Sequence, residues 1–403
     1  MIKKNIPALT GYRAFAAYSV MFAHAADVAF SYSGALSPLR QYTVCMAYLG
    51  MTTFFVLSGF VITYNYFDLF SGNSWKYASI KFIIARFARL YPLYFVFLLS
   101  SIGFFGNFSF SDRPVELLSF LSLTQSWFNF QMIVFPPAWS ISTEFFFYFV
   151  FMFIPFAKIK NIKKNGVVFA IILMLLMLFT LYCMWKNQSL ITQFLDRIVA
   201  VPTSPNSWGW LTYFSPFIRV FEFIMGACAA WLFMNSSTSK ESDSPPLVVL
   251  VVVYSSVVAI ILLCYVQSSS YFNNTFLSFI AINFGFSPFL ACIFYNTSKY
   301  NLALTRFFSL KPVLFCGEIS YSVYIIQFQV FSLFPAYASP AFSTQAFIAS
   351  SFRCVLFMFF TTVFAYGSYL MIEKPSRTML RNSLTKFFIS NGSTSKSSEW
   401  TLE

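Results

Sequence analysis

Residues 247–266 read LVVLVVVYSSVVAIILLCYV, a stretch without one charged side chain. An α-helix rises about 1.5 Å per residue, so about 20 apolar residues in a helix cross a hydrocarbon core about 30 Å thick. In lipid the backbone polar groups must be satisfied within the segment, and a helix meets that requirement. The stretch therefore predicts a transmembrane α-helix.

The composition of the whole chain resembles that of this segment. Of 403 residues, 58% are hydrophobic, 22% are aromatic and 10% are charged. Soluble globular proteins carry about 25% charged residues, and disordered chains combine high charge with low hydrophobicity, so both classes are excluded. The seven cysteines stand in apolar stretches and imply no disulfide framework. We predict an all-α polytopic membrane protein with one integral domain.

Other apolar segments are also long enough to cross a membrane. With 247–266 they number about ten, which places both termini on one side. The segment 115–135 holds apolar runs as well, but Asp112, Arg113 and Pro136-Pro137 interrupt it, so we interpret it as a partly buried outer loop. The predicted spans are 8–30, 45–67, 90–107, 140–157, 166–185, 214–234, 247–266, 275–295, 313–333 and 346–372.

The charges indicate which side the termini occupy. The chain holds 26 Lys and Arg against 13 Asp and Glu, a formal net charge of +13. With the N-terminus inside, nineteen basic residues fall in inner segments, four in outer segments and three within spans, the excess typical of cytoplasmic loops. We therefore predict both termini in the cytoplasm, an integral domain over 1–386 and a disordered cytoplasmic tail over 387–403. The charge gives no reason to expect a nucleic-acid partner.

The first apolar segment permits a second interpretation. Lys3-Lys4, the apolar run from Ala14 and the small-residue sequence Ala23-His24-Ala25 together resemble a cleavable secretory signal. Cleavage would leave the topology of the remaining spans unchanged. We favour a retained span, because ionisable groups inside a span are expensive to bury and mark functional sites.

Two ionisable residues, Arg13 and His24, fall within that first span. At about 100° per residue they share one helix face and lie about 16 Å apart along its axis, Arg13 near the inner surface and His24 in the outer half. His24 is the only histidine and the natural general base near neutral pH. The alternative is a buried structural histidine that is hydrogen-bonded between helices, with Asp27 one turn on as a candidate partner.

Arg86 and Arg89 are three residues apart and therefore project from one face at the inner end of the predicted third span. Two guanidinium groups there could clamp phosphate groups that arrive from the cytoplasm. The alternative is positive-inside anchoring, with long side chains that reach the interface. Taken alone, the residues favour anchoring.

Glu144 lies just inside the outer end of the predicted fourth span, after the prolines and serines of a helix start. A carboxylate in a first helical turn is stabilised by the helix dipole, which alone explains its position. The functional interpretation is a carboxylate that shares an outer-half cavity with His24 and orients the imidazole or an acceptor hydroxyl.

The remaining charged residues within spans need partners too. Arg219 and Glu222 stand at i and i+3, so we predict an intrahelical ion pair. Arg353 lies deep in the last span, with Glu144, Glu222 and Glu318 as candidate acids. One histidine and scattered cysteines give no metal-ligand set, and the chain contains no P-loop, GxGxxG or GxSxG motif.

Six short motifs resemble the membrane-integral acyltransferase-3 family over nearly the whole chain. Each motif alone is a weak signal, but all six in order across the predicted spans are specific. The motifs are IPALTGYRA at 6–14 leading to His24, FFVLSGF at 54–60, RFARLYP at 86–92, WSISTE at 139–144, GEISYSVY at 317–324 and EKP at 373–375.

The resemblance implies an O-acyltransferase of the bacterial inner (plasma) membrane. Its reaction would move an acyl group, most often acetyl, from cytoplasmic acyl-CoA to a hydroxyl of a cell-surface or lipid-linked glycan, such as lipopolysaccharide O-antigen or exopolysaccharide. The resemblance implies catalysis by His24 and Glu144, and binding of acyl-CoA, a co-substrate, by Arg13, Arg86 and Arg89. We expect neither a bound cofactor nor a metal. The residues implied around the acceptor are Asp27, Ser58, Tyr91, Trp139, Ser142, Glu318 and Tyr321.

The chain departs from the family's usual pattern at four positions. Thr10 replaces an aspartate, Tyr12 a leucine and Ala85 an arginine, and Gln327 stands where many members carry a second histidine. A mechanism that requires two histidines is therefore excluded. The chain ends at residue 403 without the esterase-like domain that some members append, so we expect the membrane domain to complete both acyl-donor use and acceptor modification.

Two other classes of function compete with the acyltransferase. One is a transporter or exporter that moves a lipid-linked or anionic solute through the same charged cavity, and the other is a scaffold without turnover. A transporter should contain broken helices and paired acidic relays, and the sequence shows neither clearly.

Overall fold

The computed structural model describes residues 5–30, 37–104, 113–130, 135–154, 162–198, 207–236, 245–331, 333–334 and 344–388, and every regular element among them is helical. Short π-helical turns interrupt the α-helices at Trp210–Phe214, Ala281–Gly285 and Tyr369–Glu373. The α-helices are α1 Pro7–Phe30, α2 Ser37–Gly72, α3 Trp75–Phe104, α4 Pro114–Leu121, α5 Ala138–Phe153, α6 Ile162–Lys186, α7 Gln188–Ile198, α8 Ser207–Gly209, α9 Pro216–Asn235, α10 Leu247–Ser268, α11 Phe276–Ile280, α12 Ser287–Lys299, α13 Ala303–Phe308, α14 Lys311–Glu318, α15 Ser320–Phe331, α16 Thr344–Ser368 and α17 Lys374–Phe388.

Within the described parts of the chain, seven helical segments are long and apolar enough to cross a membrane. α14 and α15 form an eighth if the two helices, which meet at a bend of 64°, are taken as one span. The predicted class, an all-α polytopic membrane protein, is thereby confirmed. The seven segments are Tyr42–Gly72, Trp75–Ile102, Gly166–Lys186, Ser207–Asn235, Leu247–Ser268, Phe276–Lys299 and Phe347–Phe388.

Two predicted boundaries differ from the structure. α3 begins at Trp75 rather than near residue 90, because its lysines and arginines lower the local hydropathy without ending the helix. Arg86 and Arg89 therefore lie in the middle of α3 rather than before its start; their place at the inner end of a membrane span stays a prediction. The last segment continues through a π-helical turn into α17, as far as Phe388. Of the predicted tail, 387–388 end this helix and 389–403 lie outside the described residues.

The part of the predicted outer loop that the structure describes, 113–130, contains no span. It consists of α4, which has 8 residues, and a 3₁₀ turn at Gln125–Trp127. Ser126 is buried, and its hydroxyl bonds to Ser142 Oγ of α5 at 2.8 Å. The indole of Trp210 donates to the Ser126 carbonyl at 2.7 Å. These hydrogen bonds hold the segment over the start of α5. Its predicted partial burial is confirmed for the described residues, and its place on the outer side stays a prediction.

α1 and α2 form the centre of the bundle. α1 packs against α2 and against α14, α15 and α16, while α2 also packs against α9 and α10. α6 and α10 are the least enclosed of the candidate spans, with 17% of their apolar windows buried. Their exposed leucine, valine and isoleucine side chains suit contact with lipid chains.

α2 and α9 cross at two facing glycines. A Cβ atom on Gly59 would collide with the carbonyl oxygen of Phe223, and a Cβ atom on Gly226 would collide with the carbonyl oxygen of Val56. Small residues permit such close approach, on which helix association in membranes depends because lipid removes the hydrophobic driving force. Since Ser58 adjoins Gly59, this contact also sets the position of Ser58 in the bundle.

We expect Gly59→Ala to destabilise the protein, because overpacking a close contact costs about 1–3 kcal/mol or more. The measurement is the thermal unfolding midpoint in detergent, together with monodispersity in size-exclusion chromatography. Gly367→Ala in α16 is the matched control, since nothing lies within 4 Å of an added Cβ there. It should leave the midpoint unchanged or raise it, as alanine is the better helix former. Equal midpoints for the two variants would contradict the close crossing.

Candidate active site

A cavity inside the bundle gathers several of the ionisable side chains. It encloses about 770 Å³ of empty space, part of it open to solvent, among α1, α2, α3, α5 and α15. About 90 Å³ of this space can hold the centre of a water-sized molecule. The lining residues are Arg13, Met51, Phe54, Phe55, Leu57, Ser58, Val61, Ile62, Arg86, Arg89, Leu90, Ser140, Ile141, Glu144, Ser320, Tyr321 and Tyr324.

Arg86 and Arg89 enter this cavity from α3. The Arg86 side chain is buried, its Nη2 donates to the Tyr66 hydroxyl at 2.7 Å, and its guanidinium lies 4.7 Å from the centre of the Tyr66 ring. Anchoring at the interface is thus the wrong interpretation for Arg86. Its Nε is buried without a hydrogen-bond partner among the described residues. An unsatisfied buried donor costs free energy, so an anion in the cavity would stabilise it.

Arg13 joins these two arginines from α1. It interacts electrostatically with Arg89 and with Arg377 of α17, which repel it, and with Glu144 and Glu373, which attract it. α17 packs along α3, which explains how Arg377 comes so close. The arginines around this cavity outnumber the carboxylates, so the site carries excess positive charge in the interior of a membrane protein.

Glu373, the first residue of the EKP motif, is buried in the last π-helical turn. The hydroxyl of Ser322, within the GEISYSVY motif, donates to its carboxylate at 2.6 Å. This hydrogen bond joins the two C-terminal motifs and holds a carboxylate within electrostatic range of Arg13 and Arg89.

Glu144 is the carboxylate that lines the cavity. Its Oε1 accepts hydrogen bonds from Ser58 Oγ at 3.0 Å and from the Tyr148 hydroxyl at 2.8 Å. Tyr148 follows one turn later on α5, whereas Ser58 comes from α2 across the cavity. Two hydroxyl donors therefore fix this carboxylate in the part of the cavity lined by Arg13, Arg86 and Arg89, which we call the arginine end.

His24 is absent from the described residues that line this cavity. Its Nδ1 lies 3.2 Å from Gln327 Oε1 of α15, and its ring meets the Phe328 ring at 4.9 Å. Glu144 lines the arginine cavity, and its predicted cooperation with His24 stays a prediction. The contact of Nδ1 with Gln327 is a hydrogen bond between helices, as the structural interpretation of His24 expects. Asp27 interacts with His24 electrostatically.

Tyr324 connects His24 to the cavity wall. The Gln327 amide donates from Nε2 to the Tyr324 backbone carbonyl at 2.9 Å. The Tyr324 side chain lines the cavity, and its hydroxyl accepts from Ser140 Oγ at 2.7 Å. α15 packs beside α1, and Gln327 lies at His24 one helical turn after Tyr324. The imidazole thus lies one turn of α15 beyond the cavity wall.

Two tyrosines expected around the acceptor, Tyr321 and Tyr91, have different positions. Tyr321 lines the cavity, and its hydroxyl donates to the Leu90 carbonyl at 2.7 Å. The Tyr91 hydroxyl donates to the Leu121 carbonyl at 3.1 Å and so holds the outer segment.

Three further expected residues lie away from the cavity lining. Trp139 packs against Tyr213 at 5.2 Å between ring centres. Ser142 belongs to the hydrogen-bond network of Ser126. Glu318 is exposed at the end of α14, where the chain bends away from α15. The structure therefore gives Tyr91 and Ser142 hydrogen bonds and Trp139 a packing contact outside the cavity lining, and it does not bring Glu318 to the cavity.

Several lining residues were not predicted. Ser140, Ser320 and Tyr324 lie within the quoted motifs, which was the available signal, but nothing local distinguishes them from their neighbours. Gln327 was noted only as a replacement for histidine. Tyr66 comes close to Arg86 through the pairing of α2 with α3, which no sequence spacing indicates.

The predicted ion pair between Arg219 and Glu222 is confirmed. Arg219 Nη1 lies 2.7 Å from Glu222 Oε1, and both side chains are 0% exposed. Arg219 also donates from Nε to the Tyr213 carbonyl at 2.9 Å, and Glu222 accepts from Thr52 Oγ1 at 3.2 Å. These contacts tie α9 to α2 and to the preceding π-helical turn.

The chemistry of the cavity suits an organic anion. Among the described residues, no group of three or more His, Cys, Asp or Glu side chains could hold a metal ion. Three guanidinium groups around an enclosed space are donors of the kind that bind phosphate or carboxylate oxygens. Apolar side chains such as Phe54 and Ile62 line the remainder and suit an uncharged part of the same ligand.

The fold and the cavity together describe an integral membrane protein with an interior cavity lined by three arginines. The sequence pattern of the acyltransferase-3 family, described as an acyltransferase domain, matches residues 6–370, and the chain belongs to this family. The acyltransferase MdmB of Streptomyces mycarofaciens is 27% identical over 244 residues, which cover 56% of this chain and 57% of that relative. No solved structure matches the chain. The chain is thus a membrane protein of an acyltransferase family.

We expect Glu222→Gln to lower the unfolding midpoint in detergent, because removing one partner of a buried ion pair costs about 3–5 kcal/mol. Arg219→Met should do the same. The double variant Arg219→Met/Glu222→Gln leaves no uncompensated charge and should be more stable than the sum of the two single losses implies. Strictly additive losses would show that the two residues are not coupled.

Proposed function

We propose that this protein is an O-acyltransferase that moves an acyl group, in the simplest case acetyl, from acyl-CoA to a hydroxyl of a cell-surface or lipid-linked glycan. The observation that carries the proposal is the convergence of Arg13, Arg86 and Arg89 on one cavity. Membership of an acyltransferase family supplies the reaction class. Lipopolysaccharide O-antigen and exopolysaccharide are the proposed kinds of acceptor.

The arginine end of the cavity is the proposed site for the phosphate groups of acyl-CoA. Arg86 offers a buried Nε without a partner among the described residues, and its guanidinium is already held by Tyr66. A preorganised guanidinium loses little freedom when it binds phosphate. Glu144, held by Ser58 and Tyr148, limits the excess charge and orients the neighbouring arginines.

His24 is the proposed general base. It lies about 16 Å from Arg13 along α1, at 1.5 Å per residue, so the thin pantetheine arm of acyl-CoA would cover the distance between phosphate groups and thioester. In the reaction the imidazole accepts the proton of the acceptor hydroxyl. The hydroxyl oxygen forms a bond to the thioester carbonyl carbon, the carbon–sulfur bond breaks, and the proton passes to the departing thiolate. The alternative is a transient acyl-histidine: an imidazole nitrogen attacks the thioester carbonyl carbon and the carbon–sulfur bond breaks, and then the acceptor hydroxyl attacks the same carbon and the carbon–nitrogen bond breaks.

We infer further that the chain crosses the bacterial plasma membrane ten times with both termini in the cytoplasm. The seven candidate spans and the bent pair α14–α15 account for eight. α1, with 24 residues, and α5, with 16, would complete the ten. The excess of basic residues in the inner segments supports this orientation, which places the donor site within reach of cytoplasmic acyl-CoA.

One observation favours the transporter alternative. The chain bends by 64° between α14 and α15, and Ser320, at the start of α15, lines the cavity. Broken helices at a central site are typical of secondary transporters. Reconstituted protein that moves a lipid-linked sugar across vesicles without acyl-CoA would support this alternative over the enzyme.

We expect His24→Ala to lower acyl transfer about 10²- to 10⁴-fold, the usual contribution of a general base. Arg89→Ala should instead weaken acyl-CoA binding by roughly 10- to 100-fold, the worth of one or two charged hydrogen bonds. Acetyl content of surface glycans by mass spectrometry measures the first effect, and calorimetry of purified protein with acetyl-CoA measures the second.

Lys76→Ala is the control for Arg89→Ala, because Lys76 lies on the same helix but is exposed. It should leave both measurements unchanged. Full glycan acetylation by His24→Ala would exclude His24 as the base. Normal acetyl-CoA affinity in Arg89→Ala would remove Arg89 from the donor site.

A further inference from the structure

The His24 ring is held by two neighbouring residues of α15. Its Nδ1 lies 3.2 Å from Gln327 Oε1, and the Phe328 ring meets it edge-on at 4.9 Å. Gln327 is 1% exposed, so water does not compete for its amide. The Gln327 amide, rather than water, is therefore the hydrogen-bond partner of His24 Nδ1.

The second hydrogen bond of Gln327 fixes the orientation of this amide. Its Nε2 donates to the Tyr324 backbone carbonyl at 2.9 Å. A carbonyl oxygen accepts hydrogen bonds and cannot donate one, so the NH₂ group of the amide must face it. The reversed amide would place two acceptor oxygens against each other and lose this hydrogen bond. Oε1 is thereby directed at Nδ1 of His24.

The orientation of the amide in turn fixes the protonation of the imidazole. An amide oxygen only accepts, so Nδ1 of His24 must carry the hydrogen and donate it. A neutral imidazole has a single N–H, and the partner of one nitrogen sets the state of the other. The remaining nitrogen, Nε2, therefore keeps its lone pair.

We propose that Gln327 is a positioning residue that holds neutral His24 in the Nδ1–H tautomer and so makes Nε2 the atom that accepts the acceptor's proton. This rests on the proposed function in taking His24 as the base. The proton moves from the acceptor hydroxyl to Nε2 as the new carbon–oxygen bond forms. It passes from Nε2 to the sulfur as the carbon–sulfur bond breaks. Gln327 does not titrate, so it gains and loses no proton during the cycle.

The presence of one histidine makes the tautomer directly measurable. Full-length protein labelled with ¹⁵N-histidine and placed in lipid nanodiscs gives ring-nitrogen signals from His24 alone. At a pH where the ring is neutral, we expect a protonated Nδ1 and an unprotonated Nε2. Gln327→Leu removes the acceptor with little change of size and should shift the population toward Nε2–H. Gln327→Glu retains an acceptor and should retain Nδ1–H.

Gln329→Leu is the matched control on the same helix. The Gln329 side chain pairs with Ser101 Oγ at 3.1 Å, and its loss should leave the His24 signals unchanged. In acyl transfer, Gln327→Leu should lower kcat roughly 10- to 100-fold, as the loss of an orienting partner does, with little change of KM for acetyl-CoA. Gln327→Glu should retain more of the wild-type kcat than Gln327→Leu.

An Nε2–H tautomer in the wild-type protein, or the same tautomer in wild type and Gln327→Leu, would overturn the proposal. So would an unaltered kcat in a Gln327→Leu variant whose tautomer has changed. The expected tautomers combined with full activity of His24→Ala would overturn the proposed function instead, because the contact between Gln327 and His24 would stand while the ring had no part in the reaction.

Discussion

Ionisable side chains in the hydrocarbon core of a bilayer are costly unless the protein itself supplies partners, and this cost orders the interior of the bundle. Arg219 and Glu222 offset the cost of burial by forming an ion pair, and both side chains are fully buried. Arg13, Arg86 and Arg89 meet it differently, around a cavity with fewer carboxylates than guanidinium groups. The first arrangement pairs its two charges within the chain, although Arg219 Nη2 and Glu222 Oε2 are buried without a hydrogen-bond partner among the described residues. The second leaves positive charge for an anion to neutralise, which distinguishes a structural pair from a candidate binding site.

Close helix packing determines where these charges lie. α2 approaches α9 at Gly59 and Gly226, and α14 approaches α1 where a Cβ atom on Gly317 would collide with the Thr10 carbonyl. Two of the sequence motifs therefore contain both a glycine that permits close helix packing and a serine that bonds to a carboxylate. In FFVLSGF, Gly59 permits the crossing and Ser58 bonds to Glu144. In GEISYSVY, Gly317 permits the approach to α1, and Ser322 bonds to Glu373.

Sequence reasoning succeeded where the relevant interactions are local. Hydropathy predicted α10 and the membrane class, and i,i+3 spacing predicted the contact of Arg219 with Glu222. Hydropathy did not predict the start of α3. Charged residues lower the hydropathy of a segment equally whether they lie inside a helix bundle or at the membrane interface, so the two cases cannot be distinguished. The contacts of Glu144 and His24 could not be predicted either. Their partners Ser58 and Gln327 lie 86 and 303 positions away in the chain, and only the packing of whole helices brings such residues together.

In the proposed reaction, the cost of placing charges in the hydrocarbon core also explains why Arg13 and His24 are separated along α1. If the phosphate groups of the donor stay with the arginines, no charged part of the ligand has to move deeper into a region of low dielectric. Only the thioester and one proton need to reach the imidazole. Gln327 serves this arrangement because a neutral amide orients the ring without placing another charge there. A carboxylate in its place would hold a protonated imidazole more firmly, and a base that keeps its proton does not return it to the leaving sulfur.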